Sequence, residues 1–199
     1  TIVCSALFMG CDGIEEVELP DTITEIGSWA FENCKSLNKI TIPESVTKIG
    51  DRAFAECSGL TDVEMQEGIN TIGSRAFYKC NSITDIVMPD SVETIGFEAF
   101  YQCDNLENIK LSKSLTTTGY GVFGECTSIR EIEIPRSLKK FDGTWGSGTN
   151  TGYGAFGGCS NLKKIKFEEG STIVCSALFM GCDGIEEVEL PDTITEIGN

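Results

Sequence analysis

Eight phenylalanines in this chain, Phe8, Phe31, Phe54, Phe77, Phe100, Phe123, Phe156 and Phe179, follow one another at steps of 23 residues, with one step of 33 before Phe156. A cysteine lies three positions after each, from Cys11 to Cys182, and Leu or Ile three further, from Ile14 to Ile185. One unit reads AFENCKSLNKITIPESVTKIG, Ala30 to Gly50. A fixed period of this length marks a stacked-repeat architecture: one unit cannot bury its apolar residues alone, and neighbours bury them together in continuous columns. A closed globule would have to give eight in-phase units eight different environments.

The pattern within a unit predicts its local structure. LNKITIP alternates apolar Ile40 and Ile42 around Thr41, which reads as a half-buried strand. Pro43 ends it, because proline cannot donate to a ladder. SVTKIG buries Val46 and Ile49 on the return and turns at Gly50. DRAFAEC, Asp51 to Cys57, predicts a short helical turn with Ala-Phe facing inward; Asp51, or Ser74 one unit on, is its candidate N-cap. Stacking at about 4.8 Å per strand puts Phe on Phe, Ile on Ile and Cys on Cys. The expected fold is an α/β repeat solenoid with a parallel β-sheet on one face and short strands or helical turns on the other.

Residues 1–27 and 172–198 are identical, at an offset of 171 residues, the length of seven consecutive units. This reads as one long duplication that runs into its next copy. The expectation is a single domain over 1–199, with about eight 23-residue units, partial at both ends, and an insertion at 143–152. The chain itself reads as a fragment of a longer array.

Composition narrows the function. Thirty-one acids against fifteen bases give a net charge of −16, which argues against nucleic acid and anionic membranes as partners. No apolar run approaches the ~18 residues of a membrane helix. Histidine is absent, so no Ser-His or Cys-His pair can form. The ten cysteines contain no C-x-x-C and so suggest no metal site. Stacked cysteines run side by side rather than toward each other, so the eight periodic ones read as buried free thiols packing as small hydrophobes. Cys4 and Cys175 lie outside this column, and a disulfide elsewhere stays open for them. No cofactor is implied.

The insertion, GTWGSGTNTG, contains G-x-G but lacks the Lys-Ser/Thr of a phosphate loop. It reads as a surface excursion, with Trp145 either covering local apolar surface or serving as a recognition residue. The outward strand positions vary while the buried ones hold. One column carries Glu18, Thr41, Glu64, Val87, Lys110, Glu133, Lys166 and Glu189. Its neighbour carries Glu16, Lys39, Asp62, Asp85, Asn108, Glu131, Lys164 and Glu187. Lys163, Lys164 and Lys166 make one basic rung in an acidic array. The candidate binding residues are therefore Lys163, Lys164, Lys166, Lys110, Glu131, Glu133 and Trp145.

The motif A-F-x-x-C-x-x-L followed by I-x-I-P resembles the BspA-like leucine-rich repeats of bacterial and protist surface proteins, over essentially the whole chain. Gln66, Ser112 and Glu168 depart from it at the strand-ending proline, Ser171 at a buried Val, and Cys4 and Cys175 at the Gly position. The resemblance implies a right-handed leucine-rich-repeat superhelix, an extracellular or cell-surface location and adherence to host matrix or plasma proteins. The expected function is a non-enzymatic, monomeric module that binds a protein through its strand face. The competing expectation is a structural spacer or stalk that displays another domain.

Overall fold

In the computed structural model, which describes residues 1–142, 154–175 and 177–198, the chain winds into a β-solenoid whose strands all pair in parallel. Each rung contributes one strand to a face sheet and one to a back sheet. The face strands run from Glu16–Val17 through Lys39–Ile42 and Glu131–Ile134 to Glu187–Glu189. The back strands run from Ile2–Val3 through Thr71–Ile72 to Glu196–Ile197. Register advances by one unit: Ile40 pairs with Val63 and Ile49 with Ile72. Across the longer step it is kept as well, with Ile132 opposite Ile165. The phenylalanine column is unbroken. All eight rings stack on their neighbours at centroid distances of 5.0–5.3 Å, including Phe123 on Phe156.

The helical turn expected around 51–57 does not form, and no helix occurs among the described residues. The A-F-x-x-C segments are runs of turns that make a third wall. Two residues per turn, Trp29 and Asn33 in one rung, Arg52 and Glu56 in the next, have φ between +55° and +61°. A right-handed helix excludes that region. The backbone donors also choose other partners. Those of Trp29, Phe31 and Asn33 donate to the carbonyls of Asp51, Ala53 and Ala55 in the next rung at 2.7–2.9 Å. Those of Ala30, Glu32 and Cys34 close four-residue turns onto Gly27, Trp29 and Phe31 at 3.2–3.3 Å. Asp51 therefore caps no helix; its carboxylate accepts the Ser74 N–H of the following rung at 2.8 Å.

The cysteine column does more than fill space. Cys34, Cys57, Cys80, Cys103, Cys126, Cys159 and Cys182 each donate Sγ–H to the carbonyl of the phenylalanine one rung back, at 2.9–3.2 Å. All seven are buried. Cys4 is exposed and Cys175 half-buried, at opposite ends of the array and so too far apart to bridge each other. Ser171, where other rungs bury an aliphatic side chain, is buried with an unpartnered hydroxyl, as is Thr118.

The glycines that end the back strands at Gly27, Gly50, Gly73, Gly96 and Gly119 meet the previous rung. A Cβ on Gly73 would lie 2.7 Å from the Asp51 nitrogen and the Gly50 carbonyl carbon, both backbone. Gly73→Ala is therefore expected to cost about 1–3 kcal/mol by overpacking. Urea unfolding checks this, and an unchanged midpoint would mean the rungs can separate there.

Candidate functional site

The inward members of the face sheet, such as Ile40 and Ile42, are buried, so alternation sends their neighbours to solvent. The variable columns thus lie side by side in register on one surface. Ladder hydrogen bonding on this face is interrupted twice: between Asp62–Met65 and Asp85–Val87, and between Asn108–Lys110 and Glu131–Ile134. Thr61 and Glu107 donate their N–H to the previous rung at 3.0 and 2.9 Å, and at the interruptions the equivalent bonds of Thr84 and Arg130 are missing. The back sheet runs unbroken from Ile2–Val3 to Lys140–Asp142 past both places.

The second interruption opens a depression of about 400 Å³. Lys110, Glu131, Glu133, Lys164 and Lys166 line it, together with Asp85, Val87 and Asn108. Five of the seven sequence-selected residues therefore meet at one place. Lys163 lies outside it and pairs with Glu186 on the next rung. Trp145 falls outside the described residues.

Electrostatics within the depression are uneven. Lys166 pairs with Glu133 at 3.0 Å on one side. Lys164 pairs with Glu189 at 2.5 Å and Glu187 at 3.2 Å on the other. These contacts hold both ammonium groups charged beyond the usual lysine range, and Lys164 in turn holds the Glu189 carboxyl below its usual range. Lys110 has no ion-pair partner among the described residues. Its register neighbour is Val87, which is 57% exposed. Hydrogen bonds from Thr84 and Asn108 hold the Asp85 carboxyl below its usual range. The site thus offers one unpaired cation, an apolar contact and flanking carboxylates, an arrangement for binding rather than for proton transfer. Among the described residues no cluster of Cys, Asp or Glu could hold a metal ion.

Sequence reasoning missed a second surface feature. On the turn wall, Phe97 stacks on Tyr120 at 5.3 Å and Tyr78 on Tyr101 at 5.8 Å. The Arg75 guanidinium lies 5.7 Å from both the Tyr78 and Phe97 rings and pairs with Glu98 at 2.6 Å. The signal was available: the position after the back-strand glycine is Ser28, Asp51 and Ser74 before it becomes Phe97 and Tyr120.

Comparison with known proteins agrees with this geometry. The model of the BspA type leucine-rich repeat region matches in six copies, over residues 1–90, 70–145 and 146–199. No curated protein matches the chain. A leucine-rich repeat protein from Bacteroides ovatus is 29% identical with a TM-score of 0.65, the match covering 96% of this chain and 58% of that one. The T. pallidum leucine-rich repeat protein is 25% identical at a TM-score of 0.54, over 93% of this chain and 71% of that one. The pneumococcal vaccine antigen PcpA shares the fold at 17% identity and a TM-score of 0.55, over 94% of this chain and 67% of its own. The chain thus spans less than two thirds of the Bacteroides protein it resembles.

Proposed function

The chain belongs to the BspA type leucine-rich repeat family, and we propose from this that it is a non-enzymatic, cell-surface module that binds a host or matrix protein through its face sheet. One observation carries the reading. The outward columns change from rung to rung and bring Lys110, Glu131, Glu133, Lys164 and Lys166 around one depression, while the buried columns hold constant. A protein segment with a carboxylate for Lys110 and an apolar side chain for Val87 suits it. The acidic rungs on either side disfavour displaced positions of an acidic segment.

The test is a pull-down from extracellular-matrix and plasma proteins with the 199-residue chain, beside a variant whose face-sheet charges are scrambled. Capture by the native chain alone supports the reading; equal capture by both refutes it. With the ligand in hand, Lys110→Glu should slow association about tenfold and flatten its salt dependence, because a single steering charge acts mainly on the on-rate. Surface plasmon resonance at two ionic strengths measures both.

The spacer reading draws on the identity of residues 1–27 and 172–198, since duplication lengthens an array without creating a site. It expects no capture by either chain.

A further inference from the structure

The turn wall and the back sheet meet at a small hollow of about 180 Å³, where Ser74, Thr94, Phe97, Thr117 and Tyr120 converge from three consecutive rungs inside the array. The Phe97 ring stacks on Tyr120 at 5.3 Å with the planes 4° apart. The preceding rung carries Ser74 at the same position, too small to cover the ring's other face. The Arg75 guanidinium reaches over part of that face, 5.7 Å from the centroid, and Phe97 stays 39% exposed. The stack therefore ends in an open aromatic platform at the hollow.

The hydroxyls around the platform are unspent. Thr47, Thr116 and Thr195, just before their back strands, donate theirs to the carbonyl of the preceding rung at 3.2 Å. Thr94 and Thr117 stand one position later, inside the back strands and in register with each other. Ser74 engages only its main chain. Among the described residues the hydroxyls of Ser74, Thr94 and Thr117 make no hydrogen bond. No carboxylate, ammonium or guanidinium lines the hollow, in contrast to the face-sheet depression. Arg75, against the Phe97 ring, is paired with Glu98 at 2.6 Å. The lining is thus neutral in a chain whose net charge is −16.

We propose that this hollow binds one ring of a neutral glycan, as a ligand site separate from the face-sheet depression. A pyranose has an apolar C–H face and a rim of hydroxyls. The C–H face packs on Phe97. The rim exchanges hydrogen bonds with Ser74, Thr94 and Thr117, whose hydroxyls can each donate and accept. Other ligand classes fit worse. An anion finds no free cation at the lining, and a cation finds no carboxylate. A wholly apolar ligand would shut hydroxyls away from water without partners, at a cost. A proline-rich segment needs an aromatic-lined groove along its length. Here the Arg75–Glu98 pair stands between the Phe97 stack and Tyr78. One platform and a few hydroxyls set the affinity for an isolated oligosaccharide at about millimolar.

The test is a titration of the 199-residue chain with tetrasaccharides of glucose, mannose, galactose and N-acetylglucosamine, each in turn, followed by amide NMR shifts. At least one sugar should shift the Phe97 and Tyr120 amides and saturate at millimolar concentration. Phe97→Ser installs the residue that the rungs of Ser28 and Ser74 carry at this position, so the fold is kept, and circular dichroism checks it. This variant should weaken binding about tenfold. Thr94→Val, which keeps the shape and drops the hydroxyl, should weaken it as well, whereas Phe97→Tyr should retain it. A proline decamer should not compete. Failure of every sugar to bind overturns the proposal. So does equal binding by the Phe97→Ser variant, and so does binding of the decamer in place of the sugars.

Discussion

Raising the pH above 9 should unfold the array steeply, with the thiol ladder as the cause. In the unfolded chain a cysteine ionises near 9.0. In the folded array burial pushes Cys57 up to about 12 and Cys182 to about 11. Cys80, Cys103, Cys126 and Cys159 are raised by the same desolvation, and Cys34 is raised too. The bond to the phenylalanine carbonyl adds a second reason to keep the proton, because a thiolate has no hydrogen to donate. Below pH 9 both states hold these protons and stability is unaffected. From 9 upward the unfolded chain releases protons that the folded chain retains. Each buried thiol then removes about 1.4 kcal/mol of stability per pH unit. Several such thiols acting together offset a large part of the ~5–15 kcal/mol that holds a domain within one or two pH units. Urea midpoints measured from pH 7 to 11 should fall sharply past 9. Cys80→Ser, which keeps a donor but removes a titrating group, should shift the fall to higher pH. Constant midpoints between pH 8 and 10.5 would show that the thiols are reached by water.

Phe77→Ala should cost about 3–5 kcal/mol. The ring is fully buried and stacks on Phe54 at 5.2 Å and on Phe100 at 5.0 Å. Truncation removes both stacking interactions and leaves a void between rungs that the fixed rung spacing prevents from closing. In a one-dimensional array a weakened interface also divides cooperativity. The variant should therefore unfold in two steps where the parent unfolds in one. Phe8→Ala, at a half-buried ring with one stacking partner, should cost less. A loss below about 1 kcal/mol at Phe77 would remove the phenylalanine column from the core.

The period, the strands around Ile40 and Ile42 and the buried columns were legible because each rests on side-chain chemistry repeated in phase. The turn wall was not. Ala53, Phe54 and Cys57 have the spacing of one helix face, and the left-handed conformation that breaks the helix is held by Arg52 and Glu56 rather than glycine or asparagine. Local sequence therefore favoured a helix, and the hydrogen bonds to the next rung overrode it. The site was legible as columns, in which Glu133 already stands next to Lys166 and Glu131 next to Lys164. That adjacency rests on the longer step adding no rung, and the continuous phenylalanine stack shows it. The gap in the face sheet beside Lys110 left no mark in the pattern, because the strands on both sides of it read alike.

The bonds between rungs have a mechanical consequence. They run along the axis of the solenoid, so tension between its ends loads the interfaces in series, and each carries the full force. The weakest opens first, at the end of the array or where the face ladder is already interrupted. A rung advances the axis by ~4.8 Å when folded, yet its 23 residues reach about 75–80 Å when drawn straight. A tethered array of this kind yields in small increments and lengthens more than tenfold before its covalent chain takes the strain, and each lost rung can re-form on the edge left by its neighbour.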